Sequence, residues 1–236
     1  IMQEIASPLL NSLSIITMGD AELWAVILLS LEVSLIATAI AGLIGLPLGA
    51  VLAVGRFPGR QGLIVLLNAL MGVPPVVVGL SVYLLLSQAG PLAPLRLLYT
   101  PTAMIIAQTL LVTPIIAAIT RQVIETLHEE YAEQLRSFGV GRVAAVPTLL
   151  WDARFNLLTA LLAGFGRAIA EVGAVIIVGG NIAHHTRVMT TAIALETSKG
   201  NLELAMALGT VLVILAILVN AMVSSVGMRV RAMAHA

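Results

Sequence analysis

The sequence predicts an all-α polytopic membrane protein with five transmembrane helices, and three observations carry that expectation. Of its 236 residues, 59% are hydrophobic and only 10% charged, against about 45–50% and about 25% in a soluble domain. Its mean hydropathy is +1.06. Five stretches are each long and apolar enough to cross about 30 Å of hydrocarbon, which takes roughly 20 helical residues. Runs such as 105–111 and 211–219 lack the alternation of a membrane barrel strand, so the spans are read as helices. The same composition excludes other classes. Twelve Lys and Arg balance twelve Asp and Glu, and 4% aromatics offer no stacking platform, which removes nucleic acid as a partner. With no cysteine there is no disulfide framework, zinc ribbon or thiol nucleophile.

Taken in order, residues 1–22 mix apolar positions with Glu4, Pro8, Asn11 and Asp20 and carry no basic cluster. They read neither as a signal peptide nor as a crossing helix, and an interfacial segment is expected. Were residues 3–18 to cross, the spans would number six. The first span, residues 23–55, exceeds one perpendicular crossing, so it should tilt, or bend where Gly45, Pro47 and Gly49 weaken the helical ladder. Ala37, Ala41 and Gly45 stand four apart, the spacing at which small residues let membrane helices approach. Further spans follow at 62–87, 101–121, 155–178 and 203–228, completing a transmembrane domain of residues 23–228, with a tail at 229–236. Eight arginines, from Arg56 and Arg60 in the first loop to Arg229 and Arg231 in the tail, fall on one side, against Arg96, Arg187 and Lys199 on the other. Basic loops favour the cytoplasm, so five spans put the N-terminus outside and the C-terminus inside.

The longest polar stretch, residues 122–154, separates spans three and four. Ile124, Leu127, Tyr131, Leu135 and Phe138 recur at three- and four-residue steps, one apolar helical stripe. Acidic Glu125, Glu129, Glu130 and Glu133 come early and Arg136 and Arg142 late, matching the helix dipole. A short amphipathic helix is expected, then a break at Gly139 and Gly141, then a second short segment up to Pro147. Such a segment either lies on the bilayer or docks into another protein.

Several residues within the spans invite a mechanistic reading. Arg167 and Glu171 are four apart in span four, on one face of a membrane helix, where charges are costly and usually paired. They form either a local ion pair or part of a gate. Pro74-Pro75 and Thr113-Pro114 remove backbone donors from spans two and three, which leaves either a kink or carbonyls lining a cavity. Ser81, Thr109 and Thr113 are the hydroxyls suited to an anion along such a path. Gly179-Gly180-Asn181 reads as a helix end, with contact to an outside partner as the alternative. His184-His185 lacks accompanying Cys or acidic ligands and is expected to be solvent-exposed rather than metal-binding.

Family resemblance enters through the polar loop. Glu133-Gln134-Leu135-Arg136-Ser137-Phe138-Gly139 resembles the EAA loop of ABC importer permeases, with Glu133 and Gly139 in place and Gln134 and Leu135 standing where the family has alanines. Residues 72–80, Gly-Val-Pro-Pro-Val-Val-Val-Gly-Leu, resemble the proline-containing second core helix of molybdate and tungstate permeases. Phe165-Gly166-Arg167-Ala168-Ile169-Ala170-Glu171-Val172-Gly173-Ala174 resembles their signature after that loop, and residues 179–182 with 189–193 are most similar to the tungstate branch.

The resemblance implies the permease subunit of an ATP-driven oxyanion importer in the cytoplasmic (inner) membrane, most simply for tungstate. It implies two copies of the chain, two ATP-binding subunits that receive the loop, and an external oxyanion-binding protein. ATP and Mg would sit in the partner. The only lysine, Lys199, stands between Ser198 and Gly200, so this chain has no phosphate-binding Gly-x-x-x-x-Gly-Lys-Ser/Thr loop. No cofactor and no catalytic site are expected in it. The rivals are molybdate or sulfate as cargo, an ion-coupled secondary transporter, which calls for inverted repeats, and a structural subunit with no path.

Overall fold

The computed structural model describes residues 21–234, with side chains described through Met222 and at Ser225. Apart from Ala21 and Glu22, the expected interfacial segment lies outside the described residues, and so does the sixth span. Among the described residues every element is helical: α1 (Ala21–Val54), α2 (Arg60–Met71), α3 (Pro75–Leu86), a 3-10 turn (Ala93–Leu95), α4 (Pro101–Glu130), α5 (Ala132–Ser137), α6 (Val146–Asp152), α7 (Arg154–Ile169), α8 (Gly173–Gly179), α9 (Met189–Ser198) and α10 (Leu202–Ala234). Three of them, α1, α4 and α10 over Leu202–Met222, are long and apolar enough to cross a membrane; the number is five if α2–α3 and α7–α8 each make one bent span. Leu28, Leu43, Val65 and Ile217 are each 57% exposed or more, an apolar surface that suits lipid rather than water.

Spans two and four are not continuous helices, which corrects the expectation. The chain turns through 101° between α2 and α3 and through 59° between α7 and α8. Pro75 is the first residue of α3 and Pro74 its N-cap, so Pro74-Pro75 does not disrupt a helix from within; it starts one, where a missing N–H costs nothing. Likewise α7 stops at Ile169, so Arg167 and Glu171 do not share a helical face. Pro47 and Pro114 do lie inside helices, α1 and α4, and α1 runs unbroken past Pro47. The last helix passes through the expected tail to Ala234.

The chain divides into two compact units. The first holds the described residues to Ile36 with Pro74–Gln108 and Ala168–Leu218; the second holds Ala37–Val73, Thr109–Arg167 and the described residues from Val219. In the first, α3 packs on α8 with no room to spare: a Cβ on Gly79 would stand 2.6 Å from Ala174 Cα, and one on Gly173 2.8 Å from Val76 Cγ2. In the second, the small face of α1 packs on α4, as the four-residue spacing predicts. Ala37 and Ala41 are fully buried, and a Cβ on Gly49 would run into the Ala117 carbonyl.

Candidate functional site

The polar loop is built on the end of α4, in the second unit. Ile124 is fully buried and packs with Val54, Val146 and Leu149, while Leu127, Tyr131 and Leu135 line the same core. The apolar stripe therefore faces its own unit instead of a bilayer surface. Phe138, the last residue of the stripe, is the exception at 81% exposed. The first helix of the loop is not separate: α4 runs to Glu130, and only α5 stands apart. The second segment is α6, which begins at Val146 and Pro147 where the sequence reading had it end, again because proline suits the first helical turn.

The break falls at Gly139 for a stereochemical reason. Gly139 N–H donates to the Arg136 carbonyl at 3.1 Å and Val140 N–H to the Leu135 carbonyl at 3.0 Å, the paired bonds of a Schellman cap. That cap needs a left-handed residue, and Gly139 has φ +67°. The turn thereby presents Glu133, Gln134, Arg136 and Phe138 outward, with Leu135 half-buried beneath them.

Two contacts brace the loop from behind. Glu125 receives Arg60 at 2.9 Å and also Arg121, and Arg60 Nε donates to the Leu52 carbonyl at 2.7 Å. This arginine thus ties the C-terminal carbonyls of α1 to α4. The Tyr131 hydroxyl donates to Asp152 at 2.6 Å, joining the start of α5 to the end of α6, and the carboxylate holds that phenol above its ordinary pKa. Sequence reading missed both braces.

In the first unit, Glu171 sits in the break before α8, 4% exposed. Its Oε1 accepts the Ala174 N–H at 3.1 Å, as an N-terminal capping carboxylate does, and its carbonyl accepts the Thr190 hydroxyl at 2.7 Å. At the other end, Gly180 has φ +71° and Asn181 φ 51°. Thr186 Oγ1 donates to the Gly179 carbonyl, and Asn181 Nδ2 to the Thr191 carbonyl at 3.3 Å. Gly179-Gly180-Asn181 is accordingly a helix end. His184 and His185 are exposed.

The three candidate anion-binding hydroxyls spend their protons on backbone. Ser81 donates to Val77, Thr109 to Ala37 at 3.4 Å and Thr113 to Thr109 at 2.7 Å. Pro74 and Pro75 form the start of α3, Thr113 and Arg167 belong to the second unit and Glu171 to the first.

Helices long and apolar enough to cross a membrane, two of the candidate spans bent, together with a braced polar loop, define an integral membrane protein, and its transport class comes from the family it matches. Residues 45–232 match the family of binding-protein-dependent transport system inner membrane components. The chain belongs to that family of multi-pass inner-membrane permeases. It is 39% identical to a tungstate uptake system permease protein of Peptoclostridium acidaminophilum, over 95% of this chain and 98% of that one. It is 36% identical to the tungstate uptake system permease protein of Campylobacter jejuni, over 70% and 69%. It is 29% identical to a sulfate transport system permease protein of Escherichia coli, over 80% and 72%.

Proposed function

We propose that this chain is the membrane-spanning permease of an ATP-driven importer that carries tungstate inward. The observation that carries the reading is the 39% identity to a tungstate uptake permease along nearly the whole of both chains. In this reading two copies assemble with two ATP-binding subunits, which hold ATP and Mg, and an external binding protein delivers the oxyanion. Glu133, Gln134, Leu135, Arg136 and Gly139 form the surface that the ATP-binding subunit grips. The braces at Glu125 and Tyr131 would make that surface move with α4 and α6 as one piece. Pro74, Pro75, Thr113, Arg167 and Glu171 remain the pathway or gate candidates. Their role would be to position helix ends, since the hydroxyls near them are engaged with backbone. The loop faces the cytoplasm, with the N-terminus outside and the C-terminus inside for five spans. Sulfate is the second reading, supported by the relative from Escherichia coli.

The test is ATP hydrolysis in liposomes by this chain with its ATP-binding subunit, adding binding protein loaded with tungstate, molybdate or sulfate. Stimulation by the tungstate-loaded protein is expected, and its loss in Glu133→Lys with membrane insertion intact. Stimulation by sulfate alone overturns the cargo; wild-type stimulation in Glu133→Lys overturns the coupling role.

A further inference from the structure

In the second unit a groove of about 720 Å³ runs between α1 and the corner where α6 meets α7. Gly42, Leu43 and Pro47 form one wall; Leu150, Phe155 and Leu158 form the other. That volume lies within the range of about 300–1,000 Å³ that takes small apolar ligands. At Gly42 the two helices are in close contact, since a Cβ there would stand 2.6 Å from Leu161 Cδ2. From Leu161 back to Arg154, α7 spans about 10 Å at 1.5 Å per residue.

Arg154 is the one charged residue of the lining among the described residues. Its guanidinium carbon lies 5.2 Å from the centroid of the Trp151 ring and 4.7 Å from that of Phe155. One N–H donates to the Trp151 carbonyl at 2.9 Å. A guanidinium carries five N–H donors in a rigid fork, so this stacking orients the group while leaving donors for an anion. Trp151 is 72% exposed and Leu43 78%, and indole rings settle at the level of lipid headgroups.

An apolar groove about 10 Å long, carrying an oriented cation beside an indole at one end, is complementary to an anionic head on a hydrocarbon tail. We infer that this groove binds an anionic phospholipid, with its phosphate on Arg154 and an acyl chain laid toward Leu161. The charge decides for lipid over a second copy of the chain, because an apolar helix face would leave the guanidinium unanswered at that end of the groove. The site stands whatever the cargo of the permease, and it opens α7 directly behind the exposed loop.

The experiment is native mass spectrometry of the full chain in detergent, titrated with phosphatidylglycerol or phosphatidylcholine of equal chain length. Phosphatidylglycerol is expected to bind roughly five-fold more tightly, the equivalent of one basic side chain at a membrane surface. Arg154→Lys should keep most of that preference and Arg154→Ala should lose it, while Leu158→Trp, which fills the groove, should weaken both lipids. Equal affinity of the parent chain for the two lipids overturns the inference. So does a preference that survives Arg154→Ala, or a Leu43→Cys variant that cross-links two copies in native membranes.

Discussion

Glu125 is the residue whose removal tells most about the loop, because two arginines from different helices converge on it. Replacing it with Ala leaves Arg60 and Arg121 facing one another, and hydrogen bonds to charged groups contribute about 1.5–3 kcal/mol each before exposure weakens them. With a side chain 35% exposed, a loss of about 1–2 kcal/mol is expected, read as a lower thermal midpoint of the purified chain; an unchanged midpoint would remove the brace. A second residue sets a pH dependence. Glu196 is 6% exposed and accepts Lys199 Nζ at 2.8 Å and Asn201 Nδ2 at 3.0 Å, and the lysine bond holds its carboxyl below the ordinary value against the opposing effect of burial. A depressed carboxyl stabilises fully above its unfolded pKa and loses that contribution as pH falls through the folded one. Acid should therefore destabilise the parent more than Glu196→Gln, checked by unfolding midpoints from neutral pH to below the glutamate range. Legibility at this scale follows sequence distance. Gly139 could be read because its cap is local, whereas Arg60 and Glu125 are 65 residues apart and no spacing rule joins them.

Elements were legible in number of apolar stretches and illegible at their breaks, for one reason. Gly72-Val73-Pro74-Pro75 and Ala170-Glu171-Val172-Gly173 hold too little charge to interrupt a hydropathy window, so each bent pair reads as one span. The prolines were visible as breakers, but whether they kink a helix or begin one depends on neighbours that hold the turn. Gly79 and Gly173 supply that hold, by letting α3 approach the backbone of α8 at Ala174 and α8 approach the Val76 side chain of α3. Gly79→Ala should cost about 1–3 kcal/mol by overpacking, because the atoms it meets include the Ala174 Cα and carbonyl, which cannot swing aside. Gly62→Ala in α2 meets nothing within 4 Å and should be neutral or slightly stabilising. Fluorescence-detected size exclusion after heating compares the pair, and equal survival would show that the α3–α8 contact carries no weight.

At the scale of the whole molecule, membrane character followed from composition alone, while partners did not. Nothing in hydropathy distinguishes an importer subunit from another bundle of apolar helices; the information lay in one seven-residue loop and in the order of the segments around it. The apolar stripe of that loop illustrates the limit. Period and polarity gave a helix with one greasy side, and both a bilayer and a partner protein could have covered it, but Val54, Val146 and Leu149 from the chain itself take that place.

The exposed turn also turns the protein into a reporter of its own sidedness. Arg136 and Arg142 flank Gly139, and both are exposed with Val143 beside them at 63%, whereas Arg60 and Arg121 are engaged with Glu125. Trypsin added to sealed inside-out vesicles should nick the chain between residues 136 and 143, and in right-side-out vesicles the bonds after Arg136 and Arg142 should stay intact, whatever is cut at the exposed Arg96 and Lys199. The reverse pattern would invert the orientation drawn from the arginines. Protection of the same bonds when the ATP-binding subunit is present would footprint its seat on the loop without any transport measurement.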